Sequence, residues 1–123
     1  MIAADTSAWL DFTKGIDSPG AGHLEAALVD GSLVMPMPVL FEVLSGPGLT
    51  RDAERSFLEL PRLEALPGFW ERAGILRRGL LKKGLKARSM DCLVAQSCID
   101  HDVGLIAVDH DFRHFSKCGL KLI

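Results

Sequence analysis

Short apolar runs alternate with longer amphipathic stretches along the chain, and this alternation narrows the possible folds more than any other feature. MIAA at 1–4, LVMP at 33–36, LEAL at 63–66, GLIAV at 104–108 and LKLI at 120–123 have the length of strands. Between them lie TSAWLDF, AGHLEAALVD, PVLFEVLSG, RDAERSFLEL, GFWERAGILRRGLLKKG and MDCLVAQSCIDH, which read as helices. Strands this short, spaced by helices, predict an α/β fold whose mostly parallel sheet is covered on both faces. No repeat, linker or low-complexity block interrupts the chain, and 123 residues can bury one core, so a single domain over 1–123 is expected.

In sheets of this kind, sites form beyond the carboxyl ends of the strands. That rule sorts the sixteen acidic residues. Asp5 follows MIAA directly, and Asp109 and Asp111 follow GLIAV in the same way. Each has a plain structural alternative: Asp5 as the N-cap of the next helix, the later pair as a turn with a side-chain cap. Glu42 interrupts PVLFEVL, where the apolar neighbours leave little room for a solvent-facing side. A carboxylate there needs a partner, either an arginine or a bound cation. Asp91 sits in the first turn of MDCLVAQSCIDH, with Ser89 as the expected cap, and a helix N-terminus by itself favours negative charge.

Taken together, Asp5, Glu42, Asp91 and Asp109 map to one edge of one sheet. Two carboxylates about 4 Å apart repel by on the order of 4 kcal/mol at an effective dielectric near 20. A cluster of four is tolerable only if protonated or filled by a cation. Oxygen ligands without His or Cys point to Mg²⁺ or Mn²⁺ rather than zinc. Such ions suit phosphate chemistry, where they activate water and neutralise the phosphoryl group.

Several classes drop out. The net charge of −2 gives no overall pull toward nucleic acid or anionic membrane, so any such attraction is local. The start lacks the flank and apolar core of a signal peptide, and GSLVMPMPVLF is too short and proline-broken to span a bilayer, which makes the cytoplasm the default location. Cys92, Cys98 and Cys118 contain no CxxC and read as reduced thiols. The four histidines have no zinc spacing, and HDFRHF reads as a short surface helix. SGPG at 45–48 lacks the lysine of a phosphate-binding loop. A phosphoacceptor receiver domain would need an aspartate at the end of a middle strand, and SLVMPMPVL has none.

IAADTSAW near the start, FEVLSG around 42, SMDCLVAQ around 91 and LIAVDHDF around 109 together resemble the PIN-domain nucleases, in particular the VapC-type toxins of bacterial toxin–antitoxin pairs. The similarity runs through essentially the whole chain in order and spacing. It implies an α/β/α sandwich, Mg²⁺- or Mn²⁺-dependent endoribonuclease activity, a cognate VapB-type antitoxin and toxin homodimers. By position, Asp5, Glu42, Asp91 and Asp109 match the family's acidic ligands, Asp111 an often acidic neighbour acting through water, and Thr6 or Ser7 the hydroxyl supporting the first aspartate. One departure is Ala107, where the family commonly carries Thr before the fourth acid.

A ribonuclease also needs positive charge for its substrate. Residues 72–88 hold Arg72, Arg77, Arg78, Lys82, Lys83, Lys86 and Arg88, half of the fourteen Lys and Arg of the chain. Phe69, Ala73, Leu76 and Leu80 supply a core-facing stripe, which places Arg78, Lys82 and Lys86 together on another face. The tract ends at Arg88, three residues before Asp91, and that proximity favours RNA phosphates over simple solvation. A silent PIN-like module that only binds RNA or a partner stays open beside the nuclease.

Overall fold

The computed structural model describes all residues from 1 to 123. Its elements are β1 (Ile2–Ala4), α1 (Thr6–Thr13), α2 (Pro19–Asp30), β2 (Met35–Pro36), α3 (Met37–Leu44), α4 (Arg51–Glu59), β3 (Arg62–Leu63), α5 (Phe69–Lys82), α6 (Ser89–Asp100), β4 (Gly104–Ile106) and a 3₁₀ helix, His110–Cys118. The fold is α/β, and every strand pairing is parallel, as the alternation of the sequence predicts. β1 pairs with β4 and β2 with β3. Single parallel bridges, Ile2 to Leu33 and Leu105 to Leu122, link these pairs and the carboxy-terminal segment in the order β3, β2, β1, β4.

Both faces of this layer are covered. Successive strand residues point to opposite faces, and Ala3 and Ala4 are both fully buried. The core is one cluster of 26 buried residues, and inside it Trp9 meets Phe57 edge to face at 5.2 Å. No helix is long and apolar enough to cross a membrane.

The expected strands are shorter in the structure, and β4 stops at Ile106, two residues before the end of GLIAV. Proline has no N–H, so the ladder of β2 stops at Pro36 and α3 begins at once. LEAL contributes only Leu63 to β3, and the carbonyl of Glu64 is bonded by the His101 ring at 2.8 Å instead of a neighbouring strand. LKLI, at the chain end, forms a bridge rather than a strand.

α5 buries Phe69, Ala73 and Leu80, with Leu76 packed beside them. It ends at Lys82, and Gly84 takes φ +73°, a left-handed turn that breaks the helical register. Lys86 therefore does not share a helix face with Arg78 and Lys82, against the sequence expectation. Ser89 is not a cap either. Arg88 occupies that position, Ser89 is the first helical residue, and no side chain caps α6. HDFRHF lies within the 3₁₀ helix, and its surface position hides an anchored side, because Phe112 and Phe115 are buried.

Candidate functional site

β1 and β4 run level, with Ala4 opposite Ile106, so the chain leaves both strands at the same place. Asp5 is the first residue beyond β1, and its N–H still bonds Ile106 O at 2.9 Å. Its carboxylate is buried and holds two backbone groups. Oδ1 accepts the N–H of Ala8 at 2.7 Å, and Oδ2 accepts the N–H of Val108 at 3.2 Å. Asp5 thus caps α1 and also bolts it to the segment leaving β4, so the capping role and the site position coexist in one side chain. Burial raises its pKa to about 6, against the pull of the Ala8, Val108 and Asp109 N–H groups and with a further push from Asp91.

Glu42 reaches the site from α3. It is half-buried, and no ion pair involves it. Its partner is instead the hydroxyl of Thr6, which donates to Oε1 at 2.6 Å. Thr6 thereby supports the second acid, not the first aspartate as the resemblance implies. Ser7 is exposed and bonds none of the acids. The apolar stretch around Glu42 also has an open side that its composition conceals, since Phe41 is 67% exposed.

Asp91 lies half-buried in the first turn of α6. Its pKa is raised by burial first and then by Asp109, while Arg88 opposes and Glu42 and Asp111 add. Asp91 therefore feels three other carboxylates from two other segments, and it acts in turn on Asp5. Asp109 caps the 3₁₀ helix, its Oδ1 accepting the Asp111 N–H at 2.9 Å. That bond steadies Asp109 where Ala107 offers only a methyl group. Asp111 has a partner the sequence did not suggest, Lys86 Nζ at 3.6 Å.

No three His, Cys, Asp or Glu side chains close on a common point as a preformed metal cage would. The donor chemistry nonetheless fits a hydrated hard cation. All the donors are carboxylate oxygens, and each bonded oxygen of Asp5 retains a second lone pair. Mg²⁺ keeps several of its waters and takes only one or two carboxylates directly, so a loose acidic ring suits it. The uphill ionisation of Asp5 and Asp91 is the cost that a bound cation would relieve.

Of the basic residues expected to meet RNA, Arg78, Lys82, Lys86 and Arg88 are all exposed. Arg88 adjoins Asp91 closely enough to oppose the rise in its pKa, and Lys86 flanks Asp111. Arg78 and Lys82 stand apart on α5.

The sequence profile described as PIN domain matches residues 2–117. No curated protein matches the sequence. Among solved structures, a chain of the VapBC2 crystal structure from Rickettsia felis, bound to a DNA fragment from the promoter, superposes with a TM-score of 0.67 at 20% identity. That alignment covers 100% of this chain and 98% of the other.

Proposed function

This chain belongs to the PIN domain family, and on that premise we propose that it is a metal-dependent endoribonuclease acting as the toxin of a toxin–antitoxin pair. The observation that carries the reading is the placement of Asp91, whose pKa is raised by burial and then by Asp109, Glu42 and Asp111, next to a buried Asp5 held by the Ala8 and Val108 N–H groups. A protein does not gather carboxylates in this way for stability.

Asp5, Glu42, Asp91 and Asp109 would hold Mg²⁺ or Mn²⁺, which when bound supplies water activation and charge neutralisation on the phosphodiester. The chain's own residues do the rest. Asp5, clamped by two backbone N–H groups, is the rigid reference point of the site. The Thr6 hydroxyl fixes Glu42 through Oε1 and leaves Oε2 without a bond. Asp91, half-buried in the first turn of α6, is held at the edge of the acidic ring by the start of that helix. Arg88 and Lys86 flank the acids and would draw a phosphate toward them.

Two partners complete the reading. The similar Rickettsia structure is a VapBC complex, in keeping with a VapB-type antitoxin here. An apolar groove of about 620 Å³, walled by Trp9, Phe12 and Phe57, is wide enough for an antitoxin segment. A smaller one of about 270 Å³, beside the exposed Phe41 and Trp70, suits a second copy of the chain.

One observation favours a second reading, a silent module that binds RNA without cutting it: the acids do not converge as they stand. Purified protein incubated with RNA and Mg²⁺ or Mn²⁺ separates the two. The nuclease yields new RNA ends, and Asp91→Asn loses them by at least about a hundredfold, within the span that loss of a catalytic acid or base covers. Binding without new ends in either metal would leave the silent module. Sequencing the ends formed in cells lacking the antitoxin would identify the RNA.

A further inference from the structure

From Arg72 to Met90 the chain contains seven cations and no acid, and the fold gives these cations different work. Arg72 is engaged by Asp100 at 2.6 Å and Lys86 by Asp111 at 3.6 Å. Arg77 donates from Nε to Ala87 O at 2.9 Å, and the His114 ring meets Lys86 O at 3.1 Å. These two bonds pin the segment between α5 and α6 from both sides. Arg78 and Lys82 pair with no carboxylate. With Arg77, Gly74 and Leu81 they line an open groove of about 430 Å³.

Three features of this groove exceed what a solvated helix face requires. Three cations share it with no anion, in a chain whose net charge is −2. The helix dipole favours Lys82 in the last turn but not the arginine pair before it. Gly74 sits inside α5, and a Cβ built there would meet nothing within 4 Å, so packing does not demand glycine. A bare position instead lets a bulky group approach the helix backbone. The groove is also tied to the segment that leads to Asp91, because Arg77 Nε donates to Ala87 O.

We propose that the Arg77–Arg78–Lys82 groove binds backbone phosphates of the RNA strand flanking the cleaved bond, so that the substrate is an extended strand several nucleotides long. This rests on the nuclease reading. Arg78 and Lys82 are one helical turn apart, about 6 Å along the axis, a step close to that between successive phosphates of an extended strand. Arg77 is a positioning residue as well, because its bond to Ala87 O holds the groove against the segment that leads to Asp91.

The test uses full-length protein and a fluorescent single-stranded oligoribonucleotide of about twenty nucleotides, with binding measured in EDTA across a salt series. For Arg78→Ala/Lys82→Ala the slope of log K against log salt should flatten by roughly 1.4, at about 0.7 per phosphate contact. Arg51→Ala/Arg55→Ala on α4, which removes the same charge elsewhere, should keep the wild-type slope. Gly74→Leu, which fills the groove without removing charge, should weaken binding several-fold. Cleavage of the same strand by the wild type is measured in parallel with Mg²⁺. If the wild type cuts RNA while the α5 pair keeps its slope, or both pairs flatten it equally, the groove is ordinary surface charge or a seat for an acidic protein, and the proposal falls alone. If the wild type neither binds nor cuts RNA, the nuclease reading falls and takes the groove with it.

Discussion

The hydroxyl of Thr6 donates to Oε1 of Glu42 at 2.6 Å, joining the first residue of α1 to the only acid of α3. This bond fixes one carboxylate oxygen and leaves the other available. Thr6→Val should therefore misorient Glu42 and lower Mg²⁺-dependent cleavage by about tenfold or more, the usual effect of losing a partner that orients a metal ligand. Thr6→Ser should restore most of the activity, and Ser7→Ala should match the wild type. Initial rates at saturating and limiting Mg²⁺ check this. Equal losses in Thr6→Val and Ser7→Ala would assign the effect to the start of the helix rather than to Glu42.

Glu42→Gln keeps the size of the side chain and the acceptor for Thr6 but removes the charge. Cleavage should fall at least about tenfold, with the Mg²⁺ requirement shifted to higher concentration. Activity within a few-fold of wild type would make Glu42 a packing residue that happens to meet a threonine.

The raised pKa of Asp5 predicts a stability profile with a definite sign. Its ordinary value is 3.8, and burial lifts it to about 6 in the folded protein. Below about pH 4 both states are protonated and nothing is lost. As the pH climbs to about 6 the unfolded chain ionises first, so metal-free stability drops, by about 3 kcal/mol at about 1.36 kcal/mol per pH unit. Asp5→Asn cannot titrate, so its stability relative to wild type should rise across the same window. Urea unfolding in EDTA from about pH 4 to about pH 7 measures the difference, and parallel profiles for the two proteins would refute the assignment.

Asp109 should separate metal binding from capping. Asn caps nearly as well as Asp, so Asp109→Asn keeps the bond to the Asp111 N–H while removing one of the charges that burden Asp91. In EDTA the variant should melt no lower than wild type. Adding Mg²⁺ should reverse the order, because stabilisation follows RT ln(1 + [L]/Kd) and the variant binds the ion more weakly. Identical Mg²⁺ shifts in both proteins would leave Asp109 as the start of a 3₁₀ helix and nothing more.

Arg72 offers a contrast within the basic tract. Its Nε and Nη2 donate to the two oxygens of Asp100 at 3.0 and 2.6 Å, and Nη1 donates to Pro67 O at 2.9 Å. Arg72→Ala should unfold at lower urea yet leave the salt dependence of RNA binding unchanged. A flattened slope would mean that the whole tract, and not the α5 groove, meets the RNA.

The parts of this molecule that were legible in the sequence are those decided by local pattern. Asp5 and Asp109 could be placed because the residue after a short buried strand must emerge at its carboxyl end. Glu42 stood out because charge is costly inside PVLFEVL. What could not be read depended on contacts between distant segments. The target of Thr6 comes from the packing of α1 on α3, about which residues 6 and 7 say nothing. Helical spacing carries Lys86 onto the face of Arg78 and Lys82, but of Gly74, Gly79 and Gly84 only Gly84 adopts the left-handed conformation that ends the helix, and the spacing does not show which. Ser89 is a good capping residue placed one position too late. The partners of the basic tract, Asp100, Asp111 and the Ala87 carbonyl, belong to the fold alone.

If the chain acts as the proposed toxin, the double anchorage of Asp5 bears on how a cell could escape it. Replacing Asp5 by a residue that cannot accept the Ala8 and Val108 N–H groups would damage the joint between α1 and the segment leaving β4 along with the acidic ring, so the chain would be lost to misfolding and degradation. Asp91 caps nothing. Its loss would leave a folded, inert copy that still occupies an antitoxin. Two mutations that look equivalent on a growth plate would then have opposite inheritance, the first freeing antitoxin for any active copy in the same cell and the second depleting it.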